Sequence, residues 1–197
     1  IVIYIKSIKR GYLVMKKIFV LGFVLALLAS CGNNNEKKET YSDNIQDTFF
    51  GVKFGASKEE VKAAFAKQGY RNVSRETRDF MSFSEDDRIS FGGFLWGYAN
   101  VSFHNGRFYS ISFYNGTEFK EMALDDFEDV LPALSKKYNM IEQPIEDENT
   151  YKYYTAKTKD GKSVTLYCSR GESFSGKMFY YTGITYIDYK YKTNDEL

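Results

Sequence analysis

Little of what builds the common reactive centres is present in this chain. Its 197 residues include one histidine, His104, one tryptophan, two cysteines and two prolines. A single imidazole leaves no His-rich metal site, and any Ser-His-Asp or Cys-His arrangement would have to use His104, which falls in a turn. No nucleophile-elbow motif occurs, and Gly92-Gly93 lacks both the glycine spacing and the Lys-Ser/Thr of a phosphate loop. No metal and no cofactor is therefore expected. Charge of one sign is missing as well: 27 Lys plus Arg against 26 Asp plus Glu excludes a strongly basic nucleic-acid binder. Scarce proline with 43% hydrophobic residues excludes a disordered chain. The longest apolar run, Ile18 to Leu28, has eleven residues, against roughly 20 needed to span a bilayer.

What is present begins with an asymmetry. Residues 1–35 carry five basic side chains and no acid, which leaves 22 basic against 26 acidic residues in the remainder. From Met15 the chain reads Met-Lys-Lys, then the apolar run, then Leu28-Ala29-Ser30-Cys31, the three-part layout of an export signal. Residues 1–14 are expected to be an upstream extension, and 15–30 the leader. The tetrad Leu28-Ala29-Ser30-Cys31 resembles the lipobox of bacterial lipoproteins. That resemblance implies cleavage before Cys31, lipid attachment at its sulfur, and a bacterial cell-envelope address at the outer membrane, periplasmic or surface-exposed. Cys168 would then have no disulfide partner.

Residues 31–48 are polar and Asn-rich and are expected to be a flexible tether to a single domain over 49–197. Ser57-Lys58-Glu59-Glu60 has the pattern of a capping box, and Val61, Ala64, Phe65 and Gln68 follow at helical spacing with Gly69 as a stop. Period two then takes over, with strands expected at 80–84, 88–91, 95–103 and 107–114. At Asn105-Gly106 a two-residue turn would set Val101 against Ser110. A three-residue loop, His104 to Gly106, instead aligns Ala99, Val101, Phe103, Tyr109, Ile111 and Phe113.

A second helix is expected over 117–138, with Phe119, Met122, Phe127, Val130, Leu131, Leu134 and Tyr138 inward. Pro132 either kinks it or marks a new start near Asp129. A hairpin with the loop Lys159-Asp160-Gly161 puts Tyr154, Ala156, Val164, Leu166 and Cys168 on one face. A last strand runs from Met178 to about Tyr191, with a bulge expected at Gly183. Strands in runs predict α+β: two helix-plus-antiparallel-meander units forming one sheet, with helices packed on one face.

Aromatic density is the remaining signal. Phe94, Trp96, Tyr98, Tyr114, Tyr153 and Tyr167 fall off the expected core faces or beside a Gly bend. They form the candidate binding surface, because such rings bring contact area at small entropy cost. The stretch Gly51-Val52-Lys53-Phe54-Gly55-Ala56-Ser57-Lys58-Glu59-Glu60-Val61 resembles the opening of two groups of small envelope proteins, the β-lactamase-inhibitor-protein-like proteins and the SmpA/OmlA-type lipoproteins. The resemblance implies a non-catalytic module that binds another envelope protein. Glycan binding through the aromatics is the alternative, and an unrecognised hydrolase the third reading.

Overall fold

The computed structural model describes residues 40–172 and 176–192, and at 85–87 the backbone only. The expected upstream extension, leader, Cys31 and the tether up to residue 39 lie outside the described residues. The described chain runs β1 (Thr48–Phe49), β2 (Val52–Lys53), α1 (Lys58–Lys67), β3 (Val73–Thr77), β4 (Phe80–Phe91), β5 (Phe94–His104), β6 (Arg107–Thr117), α2 (Lys120–Lys137), β7 (Ile141–Glu142), β8 (Thr150–Lys157), β9 (Lys162–Glu172) and β10 (Met178–Asp188). A 3₁₀ turn, Tyr189–Tyr191, follows. Strands β3 to β10 form one antiparallel eight-stranded sheet in the order β3-β4-β5-β6-β10-β9-β8-β7, and β1 and β2 make a separate hairpin. The class is α+β, and no described helix is long and apolar enough to cross a membrane.

α1 begins as its sequence dictates. The Glu60 amide donates to Ser57 Oγ at 3.3 Å, and the Ser57 amide donates to Glu60 Oε2 at 2.8 Å. That contact holds the Glu60 carboxyl below the usual carboxylate range. Gly69, at φ 93°, turns the chain out, and the Tyr70 amide closes the end on Phe65 O at 3.0 Å.

α2 is one element that passes through Pro132. Glu128, whose carbonyl the ring would crowd, and Pro132 itself are both exposed, so water can serve the freed carbonyl. Its buried stripe is Ala123, Phe127, Val130 and Leu134. Phe119 and Met122, expected to point inward, are instead 63% and 55% exposed. The helix starts one residue after Phe119, and Ala123 takes the inward place, turning Met122 about 100° away.

The β5–β6 hairpin also differs from expectation. Its turn is the two-residue Asn105-Gly106, at φ 49° and 72°, and Phe103 pairs with Phe108. The register then shifts so that Ser102 pairs with Ser110. The extra residue, Tyr109, sits in the strand as a bulge and not in the loop, so Phe108 faces inward where Tyr109 was expected. The β8–β9 loop does span three residues, with Lys157 opposite Ser163 and Gly161 at φ 87°. At Gly183 the ladder is continuous and the expected bulge is absent.

The core lies on one side of the sheet, where Met81, Phe83, Ala99, Val101, Ile111, Phe113, Ile184, Tyr186, Val164, Leu166 and Ala156 are buried. Phe65 of α1 stacks on Phe83 at 4.0 Å, and Phe127 of α2 packs against Tyr154 at 5.8 Å. Cys168 is a buried free thiol whose pKa burial pushes up, consistent with an inert place in the core. Residues 41–46, expected within the tether, instead pack on the domain. Ile45 is buried, the Ser42 amide donates to Lys157 O at 2.8 Å, and Asn139 Nδ2 donates to Tyr41 O at 2.8 Å. Burial of one isoleucine and these bonds order residues 41–46 against the domain, despite their polar composition.

Candidate functional site

The side of the sheet opposite the core is built by the same alternation. Register places Ser84, Tyr98, Tyr114, Gly183, Tyr167 and Tyr153 in a single row across six strands. The adjoining row is Ser82, Asn100, Ser112, Thr185, Thr165 and Thr155. Its hydroxyls bond one another, Ser112 with Thr185 at 2.8 Å and Thr155 with Thr165 at 3.1 Å. Beyond the tyrosine row, Tyr181 lies opposite Gly116 on β6 and Ser169 on β9.

Glycine decides how the rings lie. A Cβ on Gly183 would come within 2.6 Å of the Tyr167 hydroxyl and 2.7 Å of its Cζ, so the Tyr167 ring rests on bare backbone. Tyr181 does the same over Gly116 and Gly171, where a Cβ would be 3.0 Å and 3.3 Å from the ring. Tyr98 stacks on Tyr114 with centroids 5.0 Å apart, and Tyr114 meets Tyr181 edge-on at 6.2 Å.

The electrostatics are equally uniform. On this side of β5, β6, β9 and β10, the alternate positions 98, 100 and 102, 110 to 116, 163 to 171 and 179 to 187 that face away from the core carry no charged residue; Arg170, paired with Tyr180, falls on the other parity. Burial pushes the Tyr167 phenol up to about 12. Tyr114 is raised chiefly by burial, opposed by hydrogen bonds from Asn100 and Ser82. These phenols are therefore neutral donors and acceptors at ordinary pH. Two acceptors on the face, Asn100 Oδ1 and Ser163 Oγ, are buried and have no partner among the described residues.

Of the residues expected to form a binding surface, Tyr98, Tyr114, Tyr153 and Tyr167 share this row. Trp96 does not belong with them. It is only 1% exposed, its Nε1 donates to Phe91 O at 3.0 Å, and half-buried Phe94 packs edge-on against it at 6.2 Å. Asn115 causes the change: its Oδ1 accepts from the Gly97 amide at 2.8 Å and its Nδ2 donates to Leu95 O at 3.2 Å. One side chain replaces the backbone ladder there, the alternation slips by a residue at Gly97, and Trp96 turns in while Leu95 turns out. Tyr181, Phe179 and Asn100 complete the face but escaped the sequence reading. The in-strand glycines Gly116, Gly171 and Gly183 were the signal for the flat rings, useful only once β6 is known to pair with β10.

Elsewhere the chemistry is sparse. No group of three metal-ligating side chains exists among the described residues. One surface groove of about 510 Å³ is lined by Ser42, Asp43, Gln46, Lys137, Tyr138 and Asn139. A second of about 310 Å³ lies between Tyr153 and the loop residues Pro144, Ile145, Glu146 and Asp147. Neither brings together carboxylates from two different elements. Comparison with known proteins finds no match to this chain, whether among family models, curated proteins or solved structures.

Proposed function

We propose that this chain is a lipid-anchored envelope protein that acts as a non-catalytic protein-binding module. On this reading, α1 with β3–β6 and α2 with β7–β10 are two helix-plus-meander units. Their helices cover one side of the shared sheet, and the other side is left to meet a partner. One observation carries the proposal: the Tyr, Ser, Thr, Asn and Gly composition of the uncharged centre of this face, with Arg75 and Lys157 only on its outer strands. Tyrosine supplies rigid amphipathic area with two side-chain torsions, while small hydroxyls and amides supply adaptable hydrogen bonds. The leader and the lipobox-like tetrad support the envelope address, and the lipid at Cys31 would be the contact with the membrane.

A neutral glycan is the second reading, favoured by the half-buried Tyr167 and Tyr181 rings lying flat over glycine, the arrangement in which a sugar ring could stack on them. A photo-reactive residue at Ser112 in the full chain, activated in intact bacterial cells, tests the first. A discrete protein adduct is expected, reduced at least tenfold by Tyr98→Ala with Tyr153→Ala while circular dichroism stays unchanged. An adduct pattern indifferent to both substitutions would count against a protein partner. Binding of neutral oligosaccharides on an array, lost in the same variant, would move the assignment to glycan.

A further inference from the structure

Away from the tyrosine row, four large apolar side chains are exposed at one end of the sheet: Phe119 at 63%, Met122 at 55%, Leu95 at 54% and Met178 at 43%. The chain brings them to the same region. Asn115 bonds both Leu95 O and Asp126 of α2, one helical turn past Met122. Thr117 holds the Phe119 amide at 3.2 Å and donates to Met122 Sδ at 3.8 Å. Glu118 pairs with Lys177, the neighbour of Met178. Phe119 and Met122 are where period-based reading misplaces a side chain, and such departures cluster where a protein meets something else.

We infer that this end of the molecule docks a basic amphipathic segment of another protein. Two of the four side chains are methionine, whose unbranched thioether adapts to irregular apolar partners. The rim is acidic: Glu121 and Asp125 are exposed and make no ion pair among the described residues, and the nearby cations are engaged, Lys177 by Glu118 and Lys120 over the Tyr151 ring at 4.0 Å. An apolar patch edged by free carboxylates fits a helix with leucine on one face and lysine on the other. An anionic bilayer fits poorly, because the same carboxylates repel it.

The test uses the full chain in phosphatidylcholine nanodiscs, empty discs as blank, and a fluorescein-labelled 18-residue Leu/Lys amphipathic helix as probe. Saturable binding is expected, at least tenfold weaker with Phe119→Ser plus Met122→Ser, and within twofold of wild type with Tyr98→Ala. Both serines replace exposed groups, so the thermal midpoint serves as the folding control. A scrambled peptide of the same composition binding equally well would reduce the effect to bulk charge and overturn the proposal. So would tighter docking of this end on phosphatidylglycerol vesicles, read by a dye at Met122→Cys, or a self-association abolished by the serine pair. Because the Tyr98→Ala arm reads the sheet face separately, failure here leaves the proposed function standing, and the reverse also holds.

Discussion

The two sides of the sheet are written by alternate residues of the same strands, yet they differ by little more than an oxygen atom. On β6, Ile111 and Phe113 face the core while Ser112 and Tyr114 face away; on β9, Val164 and Leu166 face in while Thr165 and Tyr167 face out. The chain has 17 phenylalanines and 17 tyrosines, so the phenolic hydroxyl is the main sorting device. Phenylalanine fills the interior at about 1.5–3 kcal/mol per fully buried side chain. Tyrosine keeps comparable area but needs a partner for its hydroxyl, and it is spent at the surface. Tyr138 and Tyr186 are exceptions: both are buried, and desolvation together with neighbouring Tyr138 drives the Tyr186 phenol strongly upward.

The comparison breaks most visibly on the core side. Phe113 is fully buried and stacks on Phe91 at 4.0 Å, so Phe113→Ala should cost about 3–5 kcal/mol in urea unfolding, through lost transfer energy and a cavity. On the other side, Gly183→Val should cost about 1–3 kcal/mol despite the strand preference of valine, because its side chain must displace the Tyr167 ring. Freed from its buried position, the Tyr167 phenol should then titrate nearer to 10 than to 12 by ultraviolet absorbance.

The smallest effect sharpens the contrast. Tyr167→Phe should change stability at neutral pH by no more than about 1.5 kcal/mol. Its signature lies at alkaline pH. A phenol raised in the folded state stabilises fully below its unfolded pKa of about 10, and that stability is lost as pH rises through about 12. The phenylalanine variant should therefore lose less stability than wild type between those limits, measured by denaturant midpoints across the range.

Most of the architecture was legible because it is local. Ser57 and Glu60 cap α1, Gly69 ends it, and period two assigns Ala156, Val164, Leu166 and Cys168 to the core without knowledge of their neighbours. What failed was decided by contacts distant in sequence. Asn115 reaches across 18 residues to imitate a strand at Gly97, and nothing in a reading of β5 alone reveals that Trp96 will turn inward. The Tyr109 bulge failed for a related reason. An Asn-Gly turn favours two residues, the apolar pattern demands one more, and a bulge satisfies both where a longer loop satisfies only the second. Four of the six aromatics expected at the surface share one row in the structure, but recognising the row requires the β6–β10 pairing.

The attachment of residues 41–46 bears on how the fold carries load. A pull transmitted to Thr40 meets first the Ser42–Lys157 hydrogen bond and the Asn139 contacts, which lie one after another at the margin of β8. Bonds arranged in this way open singly, like a zip, and do not resist together as strands in shear do. Under the proposed anchor, drag on the body would be spent lengthening residues 41–46, while the ladders that hold the tyrosine row in register would stay unloaded.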